Sequence, residues 1–353
     1  MPSPTPKLTI ARPDDWHLHL RDGPELASIV GHSARAFARA VVMPNLVPPV
    51  TTVEAARLYR ERIRAALPVG AAFEPLMTLY LTEAMEPAEI DRAAASGFVA
   101  GVKCYPAHAT TNSAAGVASL ASCEAVFARM EERDVVLQLH GESIGNDVDP
   151  YDRESIFIER ELAPLLRRHP RLRVVLEHVT TAAGVAFVKS QPRGLGATLT
   201  PQHLLLNRGA MFAGGLRPHL YCLPLLKRER DREALLQAAT GADPRFFLGT
   251  DSAPHSRTAK ESGCGCAGVF SAHAALELYT MAFEQAGALD RLATFANEHG
   301  ADFYRLPRNT GTVTLARSEW TVPERYAFGA GEVVPIFAGA SLAWKLQQPD
   351  LPA

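Results

Sequence analysis

Lysine is scarce in this chain. Six of its 36 basic side chains are lysine (Lys7, Lys103, Lys189, Lys227, Lys260 and Lys345) and the rest are arginine. The bias toward arginine and alanine reads as genome composition, so a position that keeps lysine is informative. Charge of one sign is also lacking. The basic residues face 38 acidic ones for a formal charge of −2, which leaves no field for nucleic acid or an anionic membrane. No apolar run reaches the ~18–20 residues that cross a bilayer, and Met1 to Lys7 has no signal-peptide core, so the expected location is the cytoplasm. Five cysteines in 353 residues make no disulfide scaffold and fit a reducing compartment. Apolar residues are plentiful: 47% hydrophobic against 21% charged supplies a large core and argues against disorder.

Short apolar or β-branched runs alternate with Ala-, Glu- and Arg-rich stretches of helical character. The runs are Leu8–Ile10 leading to Leu20, Ala40–Met43, Phe73–Leu81, Phe98–Cys104, Val135–Leu139, Arg173–His178, Gly196–Leu199 and Phe246–Gly249. Between them lie Thr52–Leu67, Pro87–Ser96, Ala114–Arg133, Arg153–His169 and Asp231–Thr240. Eight such units predict an α/β fold, a closed (β/α)8 TIM barrel over about residues 8–300, with an open doubly wound sheet as the alternative. Helical character returns at Ser271–Ala286 and Leu289–His299. After Leu306 a mixed stretch reads as a packed C-terminal extension, about residues 307–353. No linker or internal repeat interrupts residues 1–353, so a single domain is expected, with a frayed proline-rich start.

Polar residues collect where the strands end. Strand one closes in Asp14-Asp15-Trp16-His17-Leu18-His19-Leu20-Arg21-Asp22-Gly23. Side chains two apart share a strand face, so His17 and His19 converge as a common metal ion requires. Lys103 ends strand four, His140 strand five, His178 strand six and Asp251 strand eight; a barrel brings such ends together on its C-terminal face. Each residue alone has a plainer reading. A His-x-His pair arises by chance, a lone strand histidine is a satisfied core residue, Lys103 can reach solvent, and Asp251 can cap a turn. The constellation is what points to chemistry. Imidazole and carboxylate suit Zn²⁺, with Mn²⁺, Co²⁺ or Fe²⁺ also compatible. Four histidines and one aspartate exceed the needs of one open catalytic ion and suffice for two, if an anion bridges them. A buried lysine that loses its proton can add CO₂ and become a two-oxygen carbamate.

The stretches Asp14–Gly23, Met43–Leu46, Gly101–Ala107 with Thr110–Ser113, His140–Glu142, Glu177-His178, Thr200–His203, Arg217–Lys227, Leu248–His255 and Lys260–Gly268 resemble the dihydroorotases, specifically the compact bacterial type of the amidohydrolase superfamily. The resemblance runs in order over roughly residues 8–310 and weakens in the C-terminal extension. The small β-domain that longer amidohydrolases carry is not expected before His17.

The resemblance implies two Zn²⁺ per chain. His17 and His19 would bind one with Asp251, His140 and His178 the other, and Lys103 would bridge them as N6-carboxylysine. The implied reaction is the reversible cyclisation of N-carbamoyl-L-aspartate to L-dihydroorotate in de novo pyrimidine (UMP) biosynthesis. A metal-bridged hydroxide would be the nucleophile and Asp251 the general acid/base; no Ser or Cys nucleophile is needed. Arg21, Asn45 and His255 are implied to hold the substrate α-carboxylate, and main-chain groups of Leu223 and Ala267 to read the ring. Thr110 and Thr111 would touch substrate from a lid loop, Ala109 to Gly116. Read from the residues alone, Arg21 is equally an ion-pair partner of Asp22 or Asp15. A small-molecule substrate is the expected partner, with neither nucleic acid nor membrane, and the resemblance adds a homodimer.

The remaining candidates carry less. Cys222, Cys264 and Cys266 lack the Cys-x₂-Cys spacing of structural zinc sites and read as reduced loop cysteines. His203 and His219 read as structural. Cys104 replaces a larger expected apolar residue and should point away from the site. Two rival functions stay open: a hydantoin- or allantoin-cleaving relative, and a catalytically dead barrel that scaffolds another pyrimidine enzyme. Arg21, Asn45 and the Arg217–Leu223 loop argue against the first, and the full ligand set against the second. Arginine stays charged and cannot form a carbamate, which gives chemistry a reason to keep lysine at 103.

Overall fold

The computed structural model describes residues 6–347. Eight parallel strands follow one another around one sheet in chain order: Asp14–Leu18, Arg39–Val42, Glu74–Tyr80, Val99–Cys104, Val136–His140, Val174–Glu177, Leu195–Leu199 and Phe246–Leu248. A parallel bridge joins Leu18 to Ser252. His19 N–H donates to the Ser252 carbonyl (3.1 Å) and Asp251 N–H to that of His17 (2.9 Å), which brings the last strand's end back to the first. The sheet is therefore a (β/α)8 barrel, and the open-sheet alternative falls. The Asp15 carboxylate reinforces this seam by accepting from Thr250 N–H (2.8 Å) and the Thr250 hydroxyl (2.6 Å).

The helices pack outside, and their sequences explain them. In Val53–Ala65 the Thr52 hydroxyl accepts from Ala55 N–H (3.2 Å), satisfying a free donor of the first turn. Ala56, Tyr59 and Ile63 are buried at helical spacing, one stripe against the barrel. Pro87–Ala95 and Glu229–Ala239 also fall where expected. At the N-terminal end of the barrel Trp16 stacks on Tyr304, with ring centroids 4.6 Å apart. Val41, Val136, Val175 and Phe247 close around that pair.

Two expectations need correction. Leu8–Ile10 does not run into the first barrel strand: Lys7–Ala11 pairs antiparallel with Thr312–Ala316, which pairs in turn with Lys345–Leu346. The physical reason is one-sided burial. Lys7 and Thr9 are exposed while Ile10 is buried, whereas every residue of Asp14–Leu18 is buried, as a strand covered on both faces requires. The extension after Leu306 thus builds a small sheet with the strand that precedes the barrel. The helix expected from Ala114 begins only at Leu120, because the preceding residues belong to the loop after strand four. The start read as frayed, residues 1–5, lies outside the described residues.

Candidate active site

The strands end in tight turns that carry the polar residues. Arg21, His178 and Asp251 have positive φ (58°, 42° and 44°). Left-handed backbone at non-glycine residues costs on the order of 1–3 kcal/mol each and gathers at functional sites. Apart from Lys103 and His255, every residue expected at the site lines one narrow cavity of about 20 Å³, joined there by Tyr105, Ala253 and Gly268.

His17 and His19 turn their Nε2 atoms to the same oxygen, Asp251 Oδ1, at 3.4 and 3.2 Å. His17 Nδ1 donates to Glu177 Oε2 at 2.7 Å, which assigns the proton to Nδ1 and leaves Nε2 with a lone pair. His140 is held the same way from its other nitrogen: Nε2 lies 2.8 Å from Glu142 Oε2, so Nδ1 is the free donor atom. The His178 ring sits 4.8 Å from that of His140 and 5.1 Å from that of His17, and its Nδ1 is buried with no partner among the described residues. Burial pushes the imidazoles of His17, His19 and His178 below the ordinary histidine range, so they stay neutral and able to ligate. Burial also raises the Asp251 carboxyl, opposed by His17 and Lys103.

Lys103 is fully buried, and its Nζ has no hydrogen-bond partner among the described residues. The ammonium lies 5.0 Å from the Tyr105 ring centroid. Burial lowers its pKa to about 8, against the pull of Glu177 and Asp251. Cys104 faces the other way, into a separate cavity with Val117 and Phe157.

At the rim, Arg21 does not take up the ion pairs open to it in sequence. Asp22 pairs with Arg62 (2.7 Å) and Asp15 is engaged by Thr250. Arg21 Nε instead donates to the Pro254 carbonyl (2.8 Å) and Nη2 to His255 Nε2 (3.0 Å). The Ala267 carbonyl lies 3.1 Å from that same His255 nitrogen. One tautomer cannot serve both, so a ligand that draws Arg21 away frees His255 to donate to Ala267. The loop after strand four lies closed over the cavity. Asn45 Nδ2 donates to the Thr111 carbonyl (3.2 Å), Asn112 Nδ2 to that of Asn45 (3.1 Å), and the Thr111 hydroxyl to that of Ala267 (3.4 Å).

The amidohydrolase family model matches residues 5–315. A curated dihydroorotase of Alkalilimnicola ehrlichii is 61% identical over 340 residues, 96% of this chain and 99% of its own. The chain belongs to the dihydroorotase family of amidohydrolases. Two solved structures agree over nearly full length. The Campylobacter jejuni dihydroorotase has a TM-score of 0.90 at 35% identity, covering 98% of this chain and 99% of that one. The Saccharomyces cerevisiae dihydroorotase, solved in complex with 5-fluoroorotic acid, has a TM-score of 0.89 at 30% identity, covering 98% and 100%.

Four residues of this region escaped the sequence reading. Glu177 and Glu142 orient ligand-type histidines from behind, and the adjacency Glu177-His178 and the spacing His140-Gly141-Glu142 were the available signals. Tyr105, two past Lys103 on the strand-four exit, presents a buried hydroxyl with no partner among the described residues. Lys260 received no role of its own in the sequence, yet it is 3% exposed and its ammonium is fully engaged by main chain. Cys222 lies apart from the metal-type cluster, its Sγ against the Pro224 carbonyl (3.4 Å). Among the described residues the one such cluster is His17, His19 and Asp251. His203 bonds Thr200 (2.7 Å) and the Pro224 carbonyl (3.0 Å), a structural pattern.

Proposed function

We propose that this chain is a zinc-dependent dihydroorotase that interconverts N-carbamoyl-L-aspartate and L-dihydroorotate in pyrimidine biosynthesis. The observation that carries the reading is the convergence of the His17 and His19 Nε2 atoms on Asp251 beside a buried, unpartnered Lys103, with Arg21 free of carboxylate partners at the rim. The donor set fits two ions. His17, His19 and Asp251 would hold one, His140 Nδ1 and His178 the other, and a carbamate on Lys103 would bridge them. The unpartnered Lys103 Nζ is the atom such a centre would satisfy. The chemistry that a zinc pair supplies when bound is an acidified water and a polarised amide carbonyl.

The protein's own groups do the rest. Asp251 takes the proton of the attacking water and returns it to the leaving ring nitrogen; in ring closure it takes the ureido proton and passes it to the departing hydroxide, which leaves as water. The guanidinium of Arg21 offers a planar fork to the α-carboxylate, with Asn45 and His255 beside it. Main-chain groups of Leu223 and Ala267 face the ring, and Thr110 and Thr111 close over it to exclude water. The same reading makes the chain a cytoplasmic homodimer whose partner is its substrate; no helix among the described residues is long and apolar enough to cross a membrane. Purified protein assayed with dihydroorotate, N-carbamoyl-aspartate and hydantoin tests it: the first two should turn over. Turnover of hydantoin alone would overturn the assignment, and an inactive chain binding less than one zinc would point to a scaffold.

A further inference from the structure

Lys260 ends a short helix, Arg257–Lys260, beside the substrate cavity. Its Nζ donates to three main-chain carbonyls: Tyr221 at 2.7 Å, Cys266 at 2.8 Å and Gly268 at 2.8 Å. An ammonium has three donors, and all three are used. The acceptors belong to two segments far apart in sequence, and Gly268 N–H adds a direct bond to the Tyr221 carbonyl (3.0 Å). The close approach leaves no space for a side chain at 268, where a Cβ would meet the Ala253 carbonyl at 2.3 Å. Two residues past Tyr221 lies Leu223, and between the Cys266 and Gly268 carbonyls lies Ala267; both line the cavity.

We propose that Lys260 is a positioning residue whose ammonium clamps the Tyr221–Leu223 and Cys266–Gly268 segments together, setting the main-chain groups that read the substrate ring. The inference rests on the dihydroorotase reading above. Lysine suits this position because a tetrahedral point charge fits a cup of three carbonyls, whereas the planar guanidinium of arginine does not. Lys260 touches neither the reacting atoms nor the histidine cluster, so its loss removes binding shared by ground and transition states. That raises KM and spares kcat.

The test compares wild type with Lys260→Met and Lys260→Gln, each checked for fold by circular dichroism and for zinc content. In Lys260→Met, KM for dihydroorotate and Kd for 5-fluoroorotate should rise about tenfold or more, with kcat within about threefold of wild type. Lys260→Gln keeps two donors and should fall between, and it carries the test alone if the methionine variant does not fold. Unchanged KM and Kd in folded, zinc-loaded variants, or a loss confined to kcat, would overturn the clamp. Failure of wild type to turn over dihydroorotate would instead sink the functional reading.

Discussion

His17 Nδ1 and Glu177 Oε2 are 2.7 Å apart in a fully buried pair, and that bond fixes which face of the imidazole is available for chemistry. Glu177 is held in turn by the Thr198 hydroxyl at 2.5 Å. A carboxylate behind a ligating histidine fixes its tautomer and raises its basicity. Glu177→Ala should therefore weaken metal binding by roughly 10–100-fold without unfolding the barrel. Titration of metal-free protein with Zn²⁺ reads the change; an unaltered zinc affinity would remove Glu177 from the site.

Lys103 supports a sharper substitution. Lys103→Arg keeps the charge and approximate length but cannot become a carbamate, so it should lose both metal and activity. The unmodified lysine also predicts a pH dependence. With its pKa near 8, roughly a tenth of Lys103 is the reactive neutral amine at pH 7, against about a thousandth or less for an ordinary lysine. At a fixed concentration of dissolved ¹³CO₂, uptake by metal-free protein, followed by NMR, should therefore accelerate as pH rises from 7 toward 8 and level off above it. A rate flat across that window would mean that deprotonation of Lys103 does not limit the modification.

The closed loop makes a third prediction. Thr111 bonds the Ala267 carbonyl across the cavity mouth at 3.4 Å, so Thr111→Ala should lower kcat by about 10–100-fold through a leakier lid. Zinc content should be unchanged. Full turnover in this variant would show that the loop does not act as a lid.

Tyr105 offers a fourth. A buried hydroxyl without a partner costs about 1–3 kcal/mol, which a bond formed with substrate or with the Lys103 carbamate would recover. Tyr105→Phe should lower kcat/KM by about tenfold or more while leaving thermal stability equal or higher. Equal kcat/KM would make the phenol a packing group only.

The sequence was informative wherever local chemistry coincided with a strand end. His17, His19, Lys103, His140, His178 and Asp251 stand out because period-two alternation and short apolar runs mark where strands stop, and a barrel gathers those ends. What stayed hidden depends on contacts between distant segments. Lys7–Ala11 has the same extended character as Asp14–Leu18, and its one-sided burial and its pairing with Thr312–Ala316 separate the two. Lys260 looks like any helical surface lysine until three carbonyls from two loops close around it. Glu142 and Glu177 become orienting groups only when a histidine nitrogen lies within hydrogen-bond reach.

The most direct measurement is a high-resolution crystal structure of active, zinc-loaded protein, with anomalous scattering at the zinc edge. The account predicts two zinc ions flanked by His17, His19, Asp251, His140 and His178, with carboxylate density on Lys103 Nζ between them. A bare amine at Lys103, or a single ion, in crystals that still hydrolyse dihydroorotate would contradict it.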